Sequence, residues 1–330
     1  MIHNEHAHLQ VVARSHPGLV RTNNEDRFAV SAFRLSADNA TPALFAVLCD
    51  GIGGHRAGEV AAEMAVNLVS QYVAKSDASQ PLATLQEAIT MASQNIFECA
   101  QGDAGQQGMG ATCACAWVIG NKLFTASVGD SRLYLLHDHV LVQISTDHTW
   151  VQEAVDRSII TPEQAQGHRN AHVIRRYLGS LTPPEIDFRL RLNRGESDDQ
   201  ATANQGVSLA AQDMVLLCSD GLTDLVNAAE IQAQLQNQSP EAAVQALIDL
   251  VLQRGGYDNT TLVLLKVPDP NQSSRATPGR RKLPLRWVLL GCLGLLLLAV
   301  LVILVGLILA SLLNIALPFA IQIPHLAPFH

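Results

Sequence analysis

None of the six cysteines forms a Cys-x-x-Cys pair. That absence removes the commonest zinc-binding and dithiol redox patterns. Cys49, Cys113, Cys115 and Cys218 sit in apolar, strand-like runs. Cys113 and Cys115 are two residues apart on one strand face and do not bridge easily, so small buried hydrophobes in a reducing compartment fit them better. Basic residues are also scarce. Lys and Arg total 22 against 30 Asp and Glu, and the first 268 residues hold 17 of the former and 29 of the latter. So acidic a surface argues against a nucleic-acid partner. The opening MIHNEHAHLQ has no apolar core of the kind a signal peptide needs, so no cleaved leader is expected. No internal repeat is visible.

Charge is missing altogether from residues 287–313, WVLLGCLGLLLLAVLVILVGLILASLL. The run exceeds the ~20 residues that cross a bilayer, and no buried core helix needs so long an uncharged stretch. A single transmembrane helix is expected there. Arg275, Arg280, Arg281, Lys282 and Arg286 precede it and no Lys or Arg follows. Positive flanks stay inside, which puts the preceding domain in the cytoplasm and residues 314–330 outside as a short tail. Residues 269–286, beginning DPNQSSRATPGRR, read as a flexible basic linker from the cytoplasmic domain to the cell membrane.

Within residues 1–268, strand-like runs fall at 44–49, 111–119, 122–128, 132–136, 140–144, 214–218 and 261–267. Gly120-Asn121 and His137-Asp138-His139 mark tight turns. Two amphipathic helices are expected near the start. In 57–73, Val60, Met64, Leu68 and Tyr72 recur every four residues. In 82–97, Leu82, Leu85, Ile89, Ala92 and Ile96 share one face. A third helix over 241–254 has Ser239 as its cap and Pro240 at its first position. Residues 195–206, GESDDQATANQG, read as a polar loop. Runs of strands with helices inserted in pairs argue for an α+β fold, antiparallel sheets packed under helices.

Three acidic segments carry the chemistry. In LFAVLCDGIGGH and MVLLCSDGLTD an apolar run ends in Asp-Gly, placing Asp50 and Asp220 at the ends of buried strands. In GGYDNTTLVLL, Asp258 precedes a strand. Carboxylates gathered at one sheet rim repel each other, and a divalent cation resolves the repulsion; oxygen ligands favour Mg²⁺ or Mn²⁺ over zinc. Gly51 leaves its carbonyl open to a cation because no Cβ blocks the approach. A plain strand-to-helix turn capped by Asp50 also fits that segment taken alone. Gly255 and Gly256 free the backbone to place Asp258, with Asn259 and Thr260 fixing the loop. In RTNNED, Arg21 suits a phosphate because a guanidinium grips two oxygens. Glu25 and Asp26 suit hydrogen bonds to metal-held water; a solvated polar loop fits RTNNED equally well. In GDSR, Asp130 is one more carboxylate, or a turn residue paired with Arg132.

In order and spacing these segments resemble the metal-dependent protein phosphatase family (PPM, the 2C type), its bacterial members especially. The resemblance covers roughly 9–267. It rests on Arg21 to Asp26, DGIGGHRAGEVAA at 50–62, Gly110-Ala111-Thr112, VGDSRLY at 128–134 and Thr146-Asp147-His148, together with SDGLTD at 219–224 and GGYDNTT at 255–261. It implies a four-layer α-β-β-α sandwich of two antiparallel sheets. It implies two Mn²⁺ or Mg²⁺ ions bridged by Asp50, with the Gly51 carbonyl on one and Asp220 and Asp258 on the other. Asp130 with Asp220 would serve a weaker third ion. Arg21 would hold the substrate phosphate, and Glu25 and Asp26 would order water. The implied reaction is hydrolysis of phosphoserine and phosphothreonine in proteins by in-line attack of a metal-bridging hydroxide. No cysteine lies in a phosphate-cradling loop to suggest a thiol route. One departure stands out. Ile52 occupies the position where some members carry a histidine acid, and His55 lies three residues on. Residues 149–178 match a variable flap. Two other readings stay open: an inactive membrane-bound phosphoprotein-binding module, and a phosphatase of a small phosphorylated metabolite. Inactive members usually lose metal carboxylates, and none is missing here. The anchor suggests a membrane Ser/Thr kinase or its targets as partners.

Overall fold

The apolar run at 42–49 becomes a strand buried on both faces. In a computed structural model this strand, β4 (Pro42–Cys49), lies inside a six-stranded antiparallel sheet. The order is β1 (Ile2–His3), β3 (Arg27–Arg34), β4, β7 (Cys113–Ile119), β8 (Lys122–Val128) and β11 (Val207–Ser208). A second antiparallel sheet has the order β10 (Val140–Gln143), β9 (Arg132–His137), β12 (Met214–Cys218), β13 (Thr260–Lys266) and β2 (Gln10–His16). A two-residue ladder joins β5 (Gly51–Ile52) to β6 (Gly110–Ala111). The residues described are 1–53, 57–165, 167–193, 195–270, 304–305 and 308–309.

Period-two alternation distributes β4 between two cores. Ala43, Phe45, Val47 and Cys49 face α1 (Ala57–Lys75) and α2 (Pro81–Gly102). Leu44, Ala46 and Leu48 meet Leu133, Leu135, Val215, Leu217, Val263 and Leu265 from the second sheet. The far face of that sheet packs on α7 (Ala228–Asn237) and α8 (Pro240–Gln253). The layers therefore run helices, sheet, sheet, helices. Short helices α3 (Trp150–Asp156) and α4 (Pro162–Ala165) lie in the expected flap, α5 (Asp198–Ala203) follows it, and α6 (Asp220–Thr223) follows β12.

Several expectations need correction. Of the expected α1 face, Val60, Met64 and Leu68 are half-buried against the core and Tyr72 is exposed. The fully buried residues are Ala61, Ala62, Ala65, Val66, Val69 and Val73, because small side chains let the helix lie close to the sheet and to α2. The polar loop 195–206 contains α5, started by a reciprocal Ser197–Gln200 capping box. Strands β2 and β3 and helix α7 were not anticipated. The two turns hold. Gly120 alone has positive φ in the β7–β8 hairpin, while Asp138 and His139 both have positive φ between β9 and β10.

The chain divides into two compact units, Met1–Ser273 and Ser274–His330. The expected transmembrane span 287–313 lies outside the described residues apart from helical Leu304, Val305, Ile308 and Leu309. The linker beyond residue 270 and the tail 314–330 lie outside them entirely. Among the described residues no helix is long and apolar enough to cross a membrane.

Candidate active site

Four chain reversals deliver carboxylates to one place. Asp50 leaves β4, Asp130 sits in the β8–β9 connection, Asp220 opens α6, and Asp258 stands two residues before β13. Asp26, just before β3, is buried among them. The Asp50 carboxyl feels the charges of Asp26, Asp220, Asp130 and Asp258, and it lies within hydrogen-bonding reach of Asp220.

Backbone contacts fix the position of each. The Asp50 N–H donates to Thr112 Oγ1 at 2.8 Å, and the Thr112 N–H donates to the Asp50 carbonyl at 2.8 Å. Thr112 Oγ1 also meets Ser131 Oγ at 2.7 Å, so one hydroxyl ties the Asp50 strand end to the Asp130 loop. A Cβ on Gly51 would stand 2.2 Å from the Gly58 carbonyl, so glycine is required there by the start of α1 as well as by any cation. A Cβ on Gly221 would stand 2.0 Å from the Asn259 carbonyl, which locks the Asp220 turn against the Asp258 loop.

The loop carrying Arg21 interlocks with the loop carrying Asp258. The Leu19 N–H donates to the Gly256 carbonyl at 2.7 Å. Asn259 Nδ2 donates to the carbonyls of Pro17 and Asn23 at 2.9 and 2.8 Å, and its Oδ1 accepts from the Glu25 N–H at 2.7 Å. Arg21 Nη2 meets Asp258 Oδ2 at 2.6 Å, with the guanidinium more than half exposed. That leaves much of the side chain open to solvent.

Burial, reinforced by repulsion between neighbours, makes the carboxyls of Asp26, Asp50, Asp130 and Asp220 reluctant to ionise. Asp130 is pushed up to about 8 by burial and by Asp220. Asp26 is pushed up to about 7 by burial, against hydrogen bonds from Thr261 and Ser219 that pull it down. Asp220 rises to about 6 through burial, Asp224 and Asp258, and Asp50 rises well above the carboxylate range. Asp26 Oδ1, Asp130 Oδ1 and Asp220 Oδ1 are buried without a hydrogen-bond partner. Orphaned carboxylate oxygens facing other carboxylates are costly unless a cation takes them up. The donor set is all oxygen, which suits Mg²⁺ or Mn²⁺. The residues present thus fit the metals that the sequence pattern implies.

Other expected contacts are redirected. Arg132 forks onto Asp147 with bonds of 2.6–3.0 Å and acts on Asp130 through its charge, which pulls that carboxyl down against burial. Asp26 is pinned inside by Ser219 Oγ at 2.8 Å. Glu25 leans on the start of α1, its Oε2 2.8 Å from where a Cβ on Gly58 would stand. Ile52 pairs with Gly110 in the short ladder, and His55 lies outside the described residues. The sequence reading missed His172 and Asp224. His172, in the flap, points Nδ1 at Asp224 Oδ2 at 3.4 Å, and these two with Asp220 offer ligand atoms within 4.8 Å of one another. Histidine and aspartate are common in surface loops, and only the fold shows that residue 172 comes beside the Asp220 turn.

Comparison with known proteins agrees with this geometry. The family model described as protein phosphatase 2C matches residues 20–253. The Mycobacterium tuberculosis serine/threonine protein phosphatase PstP is 36% identical over 261 residues, covering 79% of this chain and 45% of that protein. The chain therefore matches under half the length of that relative. The Listeria monocytogenes serine/threonine phosphatase stp is 31% identical, covering 77% of this chain and 94% of its own length. The crystal structure of the PstP catalytic domain in complex with two manganese ions superposes with a TM-score of 0.63 at 35% identity, covering 79% of this chain and 99% of that one. With the fold, the carboxylate cluster and these relatives in agreement, the chain belongs to the protein phosphatase 2C family.

Proposed function

We propose that this chain is a Mn²⁺- or Mg²⁺-dependent phosphatase of phosphoserine and phosphothreonine in proteins. The convergence of Asp50, Asp130, Asp220 and Asp258 beside Arg21 carries the reading. Asp50 and the Gly51 carbonyl, with Asp220 and Asp258, would hold two divalent cations; Asp130 with Asp220 would hold a weaker third. When bound, such cations supply Lewis acidity and lower the pKa of a water in the cleft.

The remaining work falls to the chain. Arg21 grips the phosphoryl oxygens and neutralises charge that grows on them during in-line displacement. Asp258 aims that guanidinium through their 2.6 Å contact. Asp26, held by Ser219, supports the floor of the cluster, and Glu25 and Asp26 would order water there. Thr112 keeps Asp50 in register with the Asp130 loop.

The domain plan proposed is a phosphatase domain over 1–268, a basic linker over 269–286, a membrane span over 287–313 and a short outer tail. The uncharged run and its basic N-terminal flank support a single pass with the catalytic domain in the cytoplasm. Such an anchor favours membrane-bound phosphoproteins, a Ser/Thr kinase among them, as substrates.

The full chain in mild detergent should release phosphate from a phosphothreonine peptide with Mn²⁺ and stop with EDTA. Equal turnover by Asp220→Asn would refute the assignment. Faster turnover of small phosphomonoesters than of phosphopeptides would move the substrate class to metabolites. Retention of phosphopeptide without turnover would make the protein a binding module.

A further inference from the structure

His148 is buried, and both of its ring nitrogens are committed. Its backbone N–H donates to the Gly129 carbonyl at 2.9 Å. The Gly129 N–H donates back to His148 Nδ1 at 3.0 Å. One residue therefore holds both polar groups of Gly129, the residue before Asp130. On the far side of the ring, Nε2 meets Asp187 Oδ2 at 3.1 Å.

Asp187 is itself anchored. Burial alone would raise its carboxyl, but hydrogen bonds from His148 and Arg189 hold it well below the usual carboxylate range. Arg189 grips it through Nε at 2.9 Å and Nη2 at 2.5 Å, then reaches Asp198 at 3.1 Å. Two backbone bonds of 3.0 Å fasten Asp187 to Ser127 of β8. An ionised Asp187 accepts only, so His148 Nε2 carries the proton and Nδ1 keeps its lone pair for Gly129. Asp198, Arg189, Asp187, His148 and Gly129 form one continuous chain of polar contacts that ends beside Asp130.

Gly129 needs such a clamp. Its φ is +103°, and a Cβ there would stand 2.6 Å from Thr112 Cγ2. Glycine is thus the residue that fits, and glycine is also the residue most free to rotate away. Asp130 Oδ1, one peptide further on, is buried and unpartnered.

We propose that His148 is a positioning residue for the cation at Asp130: by gripping both the N–H and the carbonyl of Gly129 it fixes the direction in which the Asp130 carboxylate points. This rests on the reading of Asp130 as a ligand of the weakest metal site.

The test measures Mn²⁺ binding to the full chain by calorimetry, with melting temperatures in parallel. His148→Asn puts an amide oxygen where Nδ1 sits and gives up the Asp187 contact. His148→Gln reaches Asp187 with its amide NH₂ and loses the acceptor facing Gly129. Supports of metal ligands are commonly worth about 10–100-fold in affinity. His148→Gln should weaken the weakest Mn²⁺ site by about that factor and spare the tighter sites, while His148→Asn stays near wild type. Wild-type binding by Gln, or loss by Asn, overturns the proposal. Parallel losses that follow the melting temperatures would make His148 structural only, which also overturns it. Should Gln not fold, the Asn arm still decides. Asp130→Asn separates the two layers. If it leaves Mn²⁺ stoichiometry unchanged, the Asp130 reading falls and the clamp with it. If it removes the site while His148→Gln does not weaken it, the clamp alone is wrong.

Discussion

Replacing Asp220 by Asn should strengthen the cation-free fold while abolishing turnover. The Asp220 carboxyl is pushed up from 3.8 to about 6 by burial, Asp224 and Asp258. A shift of that size, at ~1.4 kcal/mol per unit, makes the ionised group cost the fold about 3 kcal/mol without metal. The sign follows from proton binding. The folded state holds this proton more tightly than the unfolded chain, so stability falls as pH rises from near 4, and the loss is complete about a unit above 6. Asparagine does not titrate. Urea unfolding of the full chain in EDTA should therefore show the variant more stable by up to about 3 kcal/mol at pH 8, with roughly half that gap at pH 5. Saturating Mn²⁺ should reverse the order, since ligand at 100 times its Kd stabilises the wild-type fold by about 2.7 kcal/mol per site. A variant no more stable than wild type at pH 8, or a gap of equal size at both pH values, would show that Asp220 carries no such strain.

Three further outcomes are expected. Gly221→Ala forces a Cβ to 2.0 Å from the Asn259 carbonyl; overpacking should cost about 1–3 kcal/mol in urea and weaken Mn²⁺ binding by moving Asp220 and Asp258 apart. Arg21→Ala should lower kcat/KM for a phosphothreonine peptide about 10–100-fold, the loss of a charge-assisted bond of ~1.5–3 kcal/mol, with melting temperature little changed because the side chain is exposed. Thr112→Val leaves the Asp50 N–H and Ser131 without their shared oxygen; a loss of about 1–3 kcal/mol is expected, seen as lower chemical stability and a higher Mn²⁺ requirement.

The central strands were legible because they are buried on both faces and read as unbroken apolar runs. β8 and β12 fall at the expected residues, and Asp50 and Asp220 stand at strand ends as their Asp-Gly context implies. β3 was missed because half-burial all along it leaves no alternation to read. β2 was missed because only one strand pairs with it and its sequence, QVVARSH, turns polar midway. The α1 face was only partly legible, for an energetic reason. Periodicity ranks side chains by hydrophobicity, whereas close packing of that helix selected alanine. At the site, residue types announced the ligands but not their supports. Thr112 acts on Asp50 across 62 positions and Asn259 on Glu25 across 234, and no local pattern encodes such distances. Arg132 chose Asp147 over its near neighbour Asp130 for the same reason: the fold brings the better-placed carboxylate from elsewhere.

The interlocked Arg21 and Asp258 loops set an order of assembly. Their side-chain contact joins residues 237 apart, and among the described residues β2 pairs only with β13, the last strand of the domain. During synthesis β2 must wait, unpaired, until β13 leaves the ribosome and slots between β12 and β2. Closing so long a loop comes late and slowly. A chain stalled or clipped before residue 258 keeps Arg21 but lacks Asp258, the carboxylate that meets it. The carboxylate cluster is therefore complete only once the whole domain has been made.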